Sequence, residues 1–331
     1  MKTFSYVSAP DTDTALRALA DGADVKLLAG GTNLVDLMRE GVERPATVVD
    51  ITRLPLDGID ELPGGGLRVG ALVTNSRLAA HPLVRTSCPV LAQAILLGAS
   101  AQLRNMATVG GNLLQRTRCM YFYDEVSACN KRAPGSGCDA LGGFSRGAAV
   151  LGVSDHCVAT HPSDMAVALV ALDAVVEVES VRGVRRVPVT EFHRPPGDTP
   201  HIDTVLAADE LITAVEIPWT AVAAHSRYRK VRDRASYAFA LVSVAAALAV
   251  EDGRVTEARL ALGGVGTRPW RAAAAERVLV GGPATEEAFR RAAEAELAAA
   301  RSGPQNAFKV ELACRTVVAT LRQLVTEGGA V

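Results

Sequence analysis

Cys119, Cys129, Cys138 and Cys157 crowd one polar stretch of a 331-residue chain, with nine, eight and eighteen residues between successive members. Thiolates are the residue type that holds soft metals and iron–sulfur clusters. This is not the C-x-x-C spacing of a zinc ribbon or a bacterial ferredoxin. Irregular spacing suits a loop wrapped around a compact cluster, and four thiolates match a [4Fe–4S] centre. Arg116, Arg118, Lys131 and Arg132 would ease its negative charge, and Pro134-Gly135-Ser136-Gly137 supplies turns with backbone N–H groups. The same side chains also suit structural zinc, or four free thiols in an irregular loop. His156, beside Cys157, is a conceivable replacement ligand, though a histidine there is more often only a neighbour. Cys88 and Cys314 fall in helical patterns and read as small core residues.

Two glycine pairs carry the second kind of chemistry. Leu27-Leu28-Ala29-Gly30-Gly31-Thr32-Asn33-Leu34 places glycines between an apolar run and a helical pattern. Without Cβ atoms, such a turn lets backbone N–H groups approach a phosphate. Ala107-Thr108-Val109-Gly110-Gly111-Asn112 repeats the character. Either one alone also fits an ordinary strand–helix turn. Neither matches the G-x-G-x-x-G dinucleotide fingerprint, which counts against a Rossmann nicotinamide site. As a pair flanking one cleft they suit a dinucleotide diphosphate.

The elements that must position these residues follow from periodicity. Residues 12–20 form a capped helix closed by Gly22, 25–29 a strand, 33–39 a helix ended by Gly41, and 46–51 a buried strand. Residues 62–66, Leu-Pro-Gly-Gly-Gly, mark a turn or a domain joint. A strand over 67–71 and helices around 76–80 and 90–98 lead to the second glycine turn. Residues 115–147 show neither period, and a loop of that length inside a compact domain is usually functional. Regular structure resumes at 148–152, with a helix at 163–172 and a hairpin over 175–189 turning at Arg182-Gly183. The segments 241–250 and 255–262 about Asp252-Gly253 form the clearest hairpin, and helices over 285–301 and 307–325 close the chain. The class is α+β. A net charge of −1 gives no global attraction to nucleic acid, and the longest apolar run, 237–250, is too short to span a bilayer. The N-terminus shows no export signal, so disulfides are not expected.

Together these motifs resemble the FAD-binding subunit of the xanthine dehydrogenase family of molybdenum hydroxylases, over nearly the whole chain. The two glycine segments look like its FAD diphosphate motifs, and Leu262-Gly263-Gly264-Val265-Gly266-Thr267-Arg268-Pro269 resembles its closing hairpin segment. Gln115-Arg116-Thr117-Arg118-Cys119, Cys129-Asn130-Lys131-Arg132, Pro134-Gly135-Ser136-Gly137-Cys138 and Ser154-Asp155-His156-Cys157 look like the bacterial aldehyde oxidoreductase branch, whose flavin subunit carries a [4Fe–4S] cluster on these cysteines.

The resemblance implies a two-lobed FAD-binding domain (PCMH-type) followed by a C-terminal sheet-plus-helix domain. Lobe 1 would cover residues 1–60, lobe 2 residues 61–222 with the cysteine loop inserted over 115–160, and the C-terminal flavoprotein domain 223–331. Leu27, Leu28, Ala29, Gly30, Gly31, Thr32, Asn33 and Leu34, with Ala107, Thr108, Gly111, Asn112 and Gln115, would hold the diphosphate and ribityl chain. Asp164 would bond the flavin chain, Ile212 would lie near the isoalloxazine ring, and Lys230 near its pyrimidine edge. Asp164 is also an ordinary helix N-terminal residue, and Lys230 also reads as a solvated member of a basic run. The implied partners are a large molybdopterin-cofactor subunit, a small [2Fe–2S] subunit and an external electron acceptor. The implied compartment is the cytoplasm, or the periplasm if a partner carries the export signal. A benzoyl-CoA-type reductase subunit and a zinc-stabilised scaffold are the alternatives.

Overall fold

The computed structural model describes residues 1–22 and 24–328, and three sheets organise them. The first contains β1 (Ser5–Ser8), β2 (Val25–Leu28) and β3 (Thr47–Asp50), all parallel, in the order β1-β3-β2. Parallel neighbours need a crossover, and the helices Thr12–Asp21 and Leu34–Arg39 supply it. The cap of the first is Asp11, whose carboxylate accepts from Thr14 N; it lies one residue before the expected Thr12 and Asp13. Ala15, Leu16 and Leu19 pack with Val49 into a small core that Leu72 and Leu211, from the second sheet's side, help to close.

The second sheet is antiparallel, in the order β4-β5-β8-β6-β7: β4 (Ile59–Glu61), β5 (Gly66–Gly70), β6 (Val175–Ser180), β7 (Gly183–Pro188) and β8 (Leu211–Pro218). The Pro-Gly-rich stretch is the turn of the β4–β5 hairpin, where Leu62 N donates to Gly66 O at 3.0 Å. Short helices from Asn75 to Leu113 and the wholly buried helix Asp164–Ala171 cover this sheet and make the largest core.

The third sheet, β12-β11-β10-β9, comprises β9 (Ser226–Val231), β10 (Val242–Glu251), β11 (Arg254–Gly263) and β12 (Trp270–Arg271). Asp252 (φ 48°) and Gly253 (φ 73°) both take the left-handed conformation that a tight hairpin demands. The helices Glu286–Leu297 and Phe308–Gly328 pack on it. One parallel and two antiparallel sheets with helical layers make a mixed α/β fold. Among the described residues no helix is long and apolar enough to cross a membrane.

The cysteine stretch is as irregular as its sequence, apart from one helical turn at Met120–Tyr123. Residues 148–152, expected to be regular, form a single bridge, Leu151 with Gly266. Their pairing comes from distant loops: Ala149 N donates to Val158 O, and Val150 N and Leu151 N to Val265 O, at 2.8, 2.8 and 2.9 Å, while the carbonyls at the near end are held by Lys309. Its fully buried ammonium donates to Gly147 O, Ala148 O and Gly264 O at 3.0, 2.9 and 2.8 Å, satisfying all three donors. Burial pushes its pKa down to about 8, so the charge is retained at neutral pH. Replacement of Lys309 by Met removes this donor from the Gly147, Ala148 and Gly264 carbonyls, of which Ala148 O keeps a bond from Asn306 Nδ2 at 3.3 Å, and should lower the unfolding free energy by about 2 kcal/mol in urea titrations.

Candidate functional site

A cleft of about 1070 Å³ opens where the three sheets meet, slightly above the usual range for small-molecule sites. The first lobe contributes Gly31, Thr32 and Asn33. The helical layer contributes Asn75, Ala107, Gly111, Asn112, Gln115 and Asp164. Lys230 and the segment Arg234 to Leu241 enclose the third side, and Arg118 through Tyr121 reach in from the cysteine loop.

The first glycine pair behaves as its sequence predicts. Gly31 takes φ 70°, and a Cβ on Gly30 would lie 1.8 Å from Met106 O. Only glycine permits that approach, which brings the two glycine segments together. Among the described residues the N–H groups of Thr32 and Asn33 have no protein acceptor. Asn33 Oδ1 accepts from Arg116 N at 2.9 Å, leaving its buried amide nitrogen Nδ2 without a partner.

The second pair is different. Thr108 caps a short helix, Val109–Leu113, its hydroxyl accepting from Gly111 N at 3.3 Å. Val109, Gly110 and Asn112 donate to Val73 O, Ala71 O and Thr108 O at 3.0, 2.9 and 2.8 Å. These N–H groups are therefore spent within the protein. Gly110 serves packing: its Cβ would stand 3.0 Å from that of Ala71. What this segment offers the cleft is polar side chains. Asn112 Oδ1 accepts from Ser163 Oγ at 2.5 Å and Gln115 Nε2 at 3.0 Å, which fixes both amides.

Of the other expected residues, Leu27 and Ala29 pack toward the first core, Leu28 lies on β2, and Leu34 opens the following helix. Ile212 corrects an expectation. It is a β8 residue, 3% exposed, buried in the central core rather than lining the cleft. A register shift in the β6–β8 ladder, where Glu177 pairs with Ala214 and Val178 with Ile212, turns Ile212 into the same core as Val215 and Ile217.

Asp164 and Lys230 do meet the cleft, and they meet each other. Lys230 Nζ lies 2.7 Å from Asp164 Oδ2 and donates to Leu97 O at 3.1 Å; the two side chains are 1% and 8% exposed. A pair so desolvated persists only when its geometry is good and its remaining bonds are filled. Tyr228 fills one, donating to Asp164 Oδ1 at 2.6 Å. Lys230 is thus a buried ion-pair member, not a solvated one.

Around the cysteines, backbone N–H groups of Tyr121 and Phe122 turn toward Cys119, those of Ala140, Leu141 and Val158 toward Cys138, and that of Ala159 toward Cys157 at 3.5 Å. Burial nevertheless raises the thiols of Cys119 and Cys138, and brings Cys157 up to about 11 against the pull of Lys131. Neighbouring thiolates add to each shift: Cys129 and Cys138 act on Cys119, and Cys138 and Cys119 on Cys157. Cys129 and Cys138 face one another across a single bridge, and Cys119 also lines the cleft. All six cysteines are free, with Cys88 and Cys314 in the core. Among the described residues no three His, Cys, Asp or Glu side chains converge as ligands of one metal ion.

The nearby cations chiefly fold the loop. Arg116 bonds Glu43 of the first lobe and Asp203 of the second at 2.6 Å each, Lys131 joins Asp203, and Arg132 caps Tyr121 O and Phe122 O at 2.7 and 2.9 Å.

Sequence reasoning missed Tyr228 and a buried histidine pair. The rings of His161 and His193 stand 4.4 Å apart, edge to face, beneath the cysteine loop. His193 Nε2 donates to Leu113 O at 2.9 Å, and His161 Nδ1 accepts from Ser163 N at 3.3 Å. Burial lowers both pKa values, His193 to about 4.

Comparison with known proteins agrees with this geometry. Residues 2–220 match the family described as "FAD binding domain in molybdopterin dehydrogenase", and residues 226–324 the "CO dehydrogenase flavoprotein C-terminal domain". The aldehyde oxidoreductase FAD-binding subunit PaoB of Escherichia coli (strain K12) is 51% identical over 326 residues, 98% of each chain. The glyceraldehyde dehydrogenase medium chain of Sulfolobus acidocaldarius is 28% identical, covering 84% of this chain and 81% of its own. Quinoline 2-oxidoreductase from Pseudomonas putida 86 superposes with a TM-score of 0.76 at 27% identity, over 98% of each chain.

The buried imidazoles make a pH prediction. The unfolded chain takes up a proton at His193 near pH 6.5, whereas the folded chain waits until about pH 4, so acid favours unfolding throughout that window. Urea titrations stepped from pH 7 to pH 4.5 should show stability falling by about 1.4 kcal/mol per pH unit from this residue. His193→Gln should remove that share of the slope.

Proposed function

Because this chain belongs to the FAD-binding subunits of the molybdopterin dehydrogenases, an oxidoreductase family, we propose that it seats FAD in the cleft. The observation that carries the site is the buried, unpartnered Asn33 amide beside the free N–H groups of Thr32 and Asn33. Donors that are desolvated and unpaired are costly unless a ligand accepts from them, and a diphosphate is rich in acceptors. Gly31, Thr32 and Asn33 form the diphosphate side, Gly30 permitting the approach and Leu27, Leu28, Ala29 and Leu34 holding the turn from behind. Ala107, Gly111, Asn112 and Gln115 form the wall facing it, with Thr108 capping the helix that carries them. Asp164 and Lys230 stand at the inner end, where the polar part of an isoalloxazine ring and its ribityl chain are accommodated. Bound FAD supplies a two-electron store between the [2Fe–2S] clusters of a small subunit and an external acceptor, the substrate being oxidised on a large molybdenum subunit. The 51% identity to an aldehyde oxidoreductase subunit favours an aldehyde as that substrate.

The four thiols are read as ligands of a [4Fe–4S] cluster. Support comes from the donor set itself: two buried and two half-buried cysteines whose thiols feel one another's charge, with N–H groups turned toward three of them. Hydrogen bonds to sulfur are one of the levers by which proteins hold and tune such clusters.

Asn33→Asp keeps the bond from Arg116 N but replaces the free donor by a negative charge. FAD affinity of the purified complex, followed by flavin fluorescence, should fall about 100-fold with little change in melting temperature. Unchanged affinity would place the diphosphate elsewhere. Anaerobically purified protein should contain four irons and four acid-labile sulfides per chain. Cys138→Ser should lower both, while one equivalent of zinc and no iron would remove the cluster.

A further inference from the structure

Tyr228 is 4% exposed and touches the cleft only through Asp164. It lies two residues before Lys230 on β9, so both side chains leave the same face of the strand and converge on one carboxylate. Lys230 takes Oδ2 and Tyr228 takes Oδ1. Its backbone N–H is engaged separately, donating to Gln93 Oε1 at 2.8 Å, so the strand is held without help from the phenol. Ser243, opposite Lys230 across the β9–β10 ladder, turns its buried hydroxyl toward the phenol and makes no hydrogen bond to Asp164 among the described residues. Among the described residues no second donor stands in for the phenol on Oδ1. A buried phenol at a core position is retained only where its hydroxyl has a partner, and here that partner is a charge facing the cleft.

We propose that Tyr228 is a positioning residue for the Asp164–Lys230 pair, fixing the carboxylate and offsetting part of its negative charge as seen from the cleft. The proposal rests on the reading of the cleft as a flavin site. The phenol O–H dipole points its positive end at Asp164, so more of the Lys230 charge is left to act on an occupant. Removing the hydroxyl leaves the carboxylate less compensated, and an electron-rich, reduced occupant is then disfavoured. Oxidised and reduced flavin are the two states that report this directly.

The test is Tyr228→Phe in the assembled, flavin-loaded complex, with the FAD midpoint measured by reductive titration against a reference dye. The ring volume is conserved, so melting should move little. The reduction equilibrium should shift about tenfold toward oxidised FAD, ~30 mV lower for a two-electron couple. Asp164→Asn, titrated alongside, should move the midpoint the opposite way, and it carries the test if the Phe variant does not assemble. Flavin present in wild type and variant with an unmoved midpoint overturns the proposal alone, as does an unmoved midpoint in Asp164→Asn. A wild-type complex without flavin overturns both the proposal and the reading of the cleft on which it rests.

Discussion

The approach of Gly30 to the backbone of Met106 and Ala107 is the constraint on which the cleft depends. The first lobe is a small parallel sheet whose core is completed by Leu72 and Leu211 from outside it, and by itself it presents only a turn with free N–H groups. The helical layer presents Asn112, Gln115 and Asp164 from a different sheet system. Without a side chain at residue 30 the two surfaces close to backbone contact, and donors and polar side chains then face one space. Any Cβ would wedge them apart by more than flexible side chains can absorb, because the atom it meets is a main-chain oxygen.

A second layer of constraint is electrostatic. Arg116 joins Glu43 to Asp203 and its own backbone N–H to Asn33, so one residue ties the first lobe, the second lobe and the start of the cysteine loop. The buried Asp164–Lys230 pair does the same between the helical layer and the third sheet. Partly desolvated pairs of this kind contribute little net stability compared with apolar packing. Their value lies in register: each admits one arrangement of the elements that carry it.

Much of this was legible where the signal is local. Asp252-Gly253 and Arg182-Gly183 announced their hairpins, and Gly30-Gly31 announced a backbone that approaches something closely. The cysteine stretch declared its irregularity through its lack of period. What remained hidden depends on distant partners. Strand β1 is exposed along its whole length and exists because β3 pairs with it, so no apolar run marks it. Thr108 to Asn112 reads as a loop until Ala71 and Val73 are seen to accept its N–H groups. Ile212 and Tyr228 look alike as apolar strand residues, and only the register of their sheets sends one into the core and the other to a carboxylate. His161 and His193 carry no spacing signal because a sheet and a helix separate them in the chain.

The anchoring of Gly147 by Lys309 joins residues 162 positions apart, with the acceptor made first and the donor near the end of synthesis. Contacts within the glycine side of the cleft span far shorter separations and can form while the chain is still emerging. The exit of the cysteine loop leans on the last helix as well as on its own neighbours, Thr160 and Val158. One wall of the cleft is thus tied across 83 positions, Asn33 to Arg116, and the other across 162, so shortening the chain from its far end would loosen the thiol-bearing wall first.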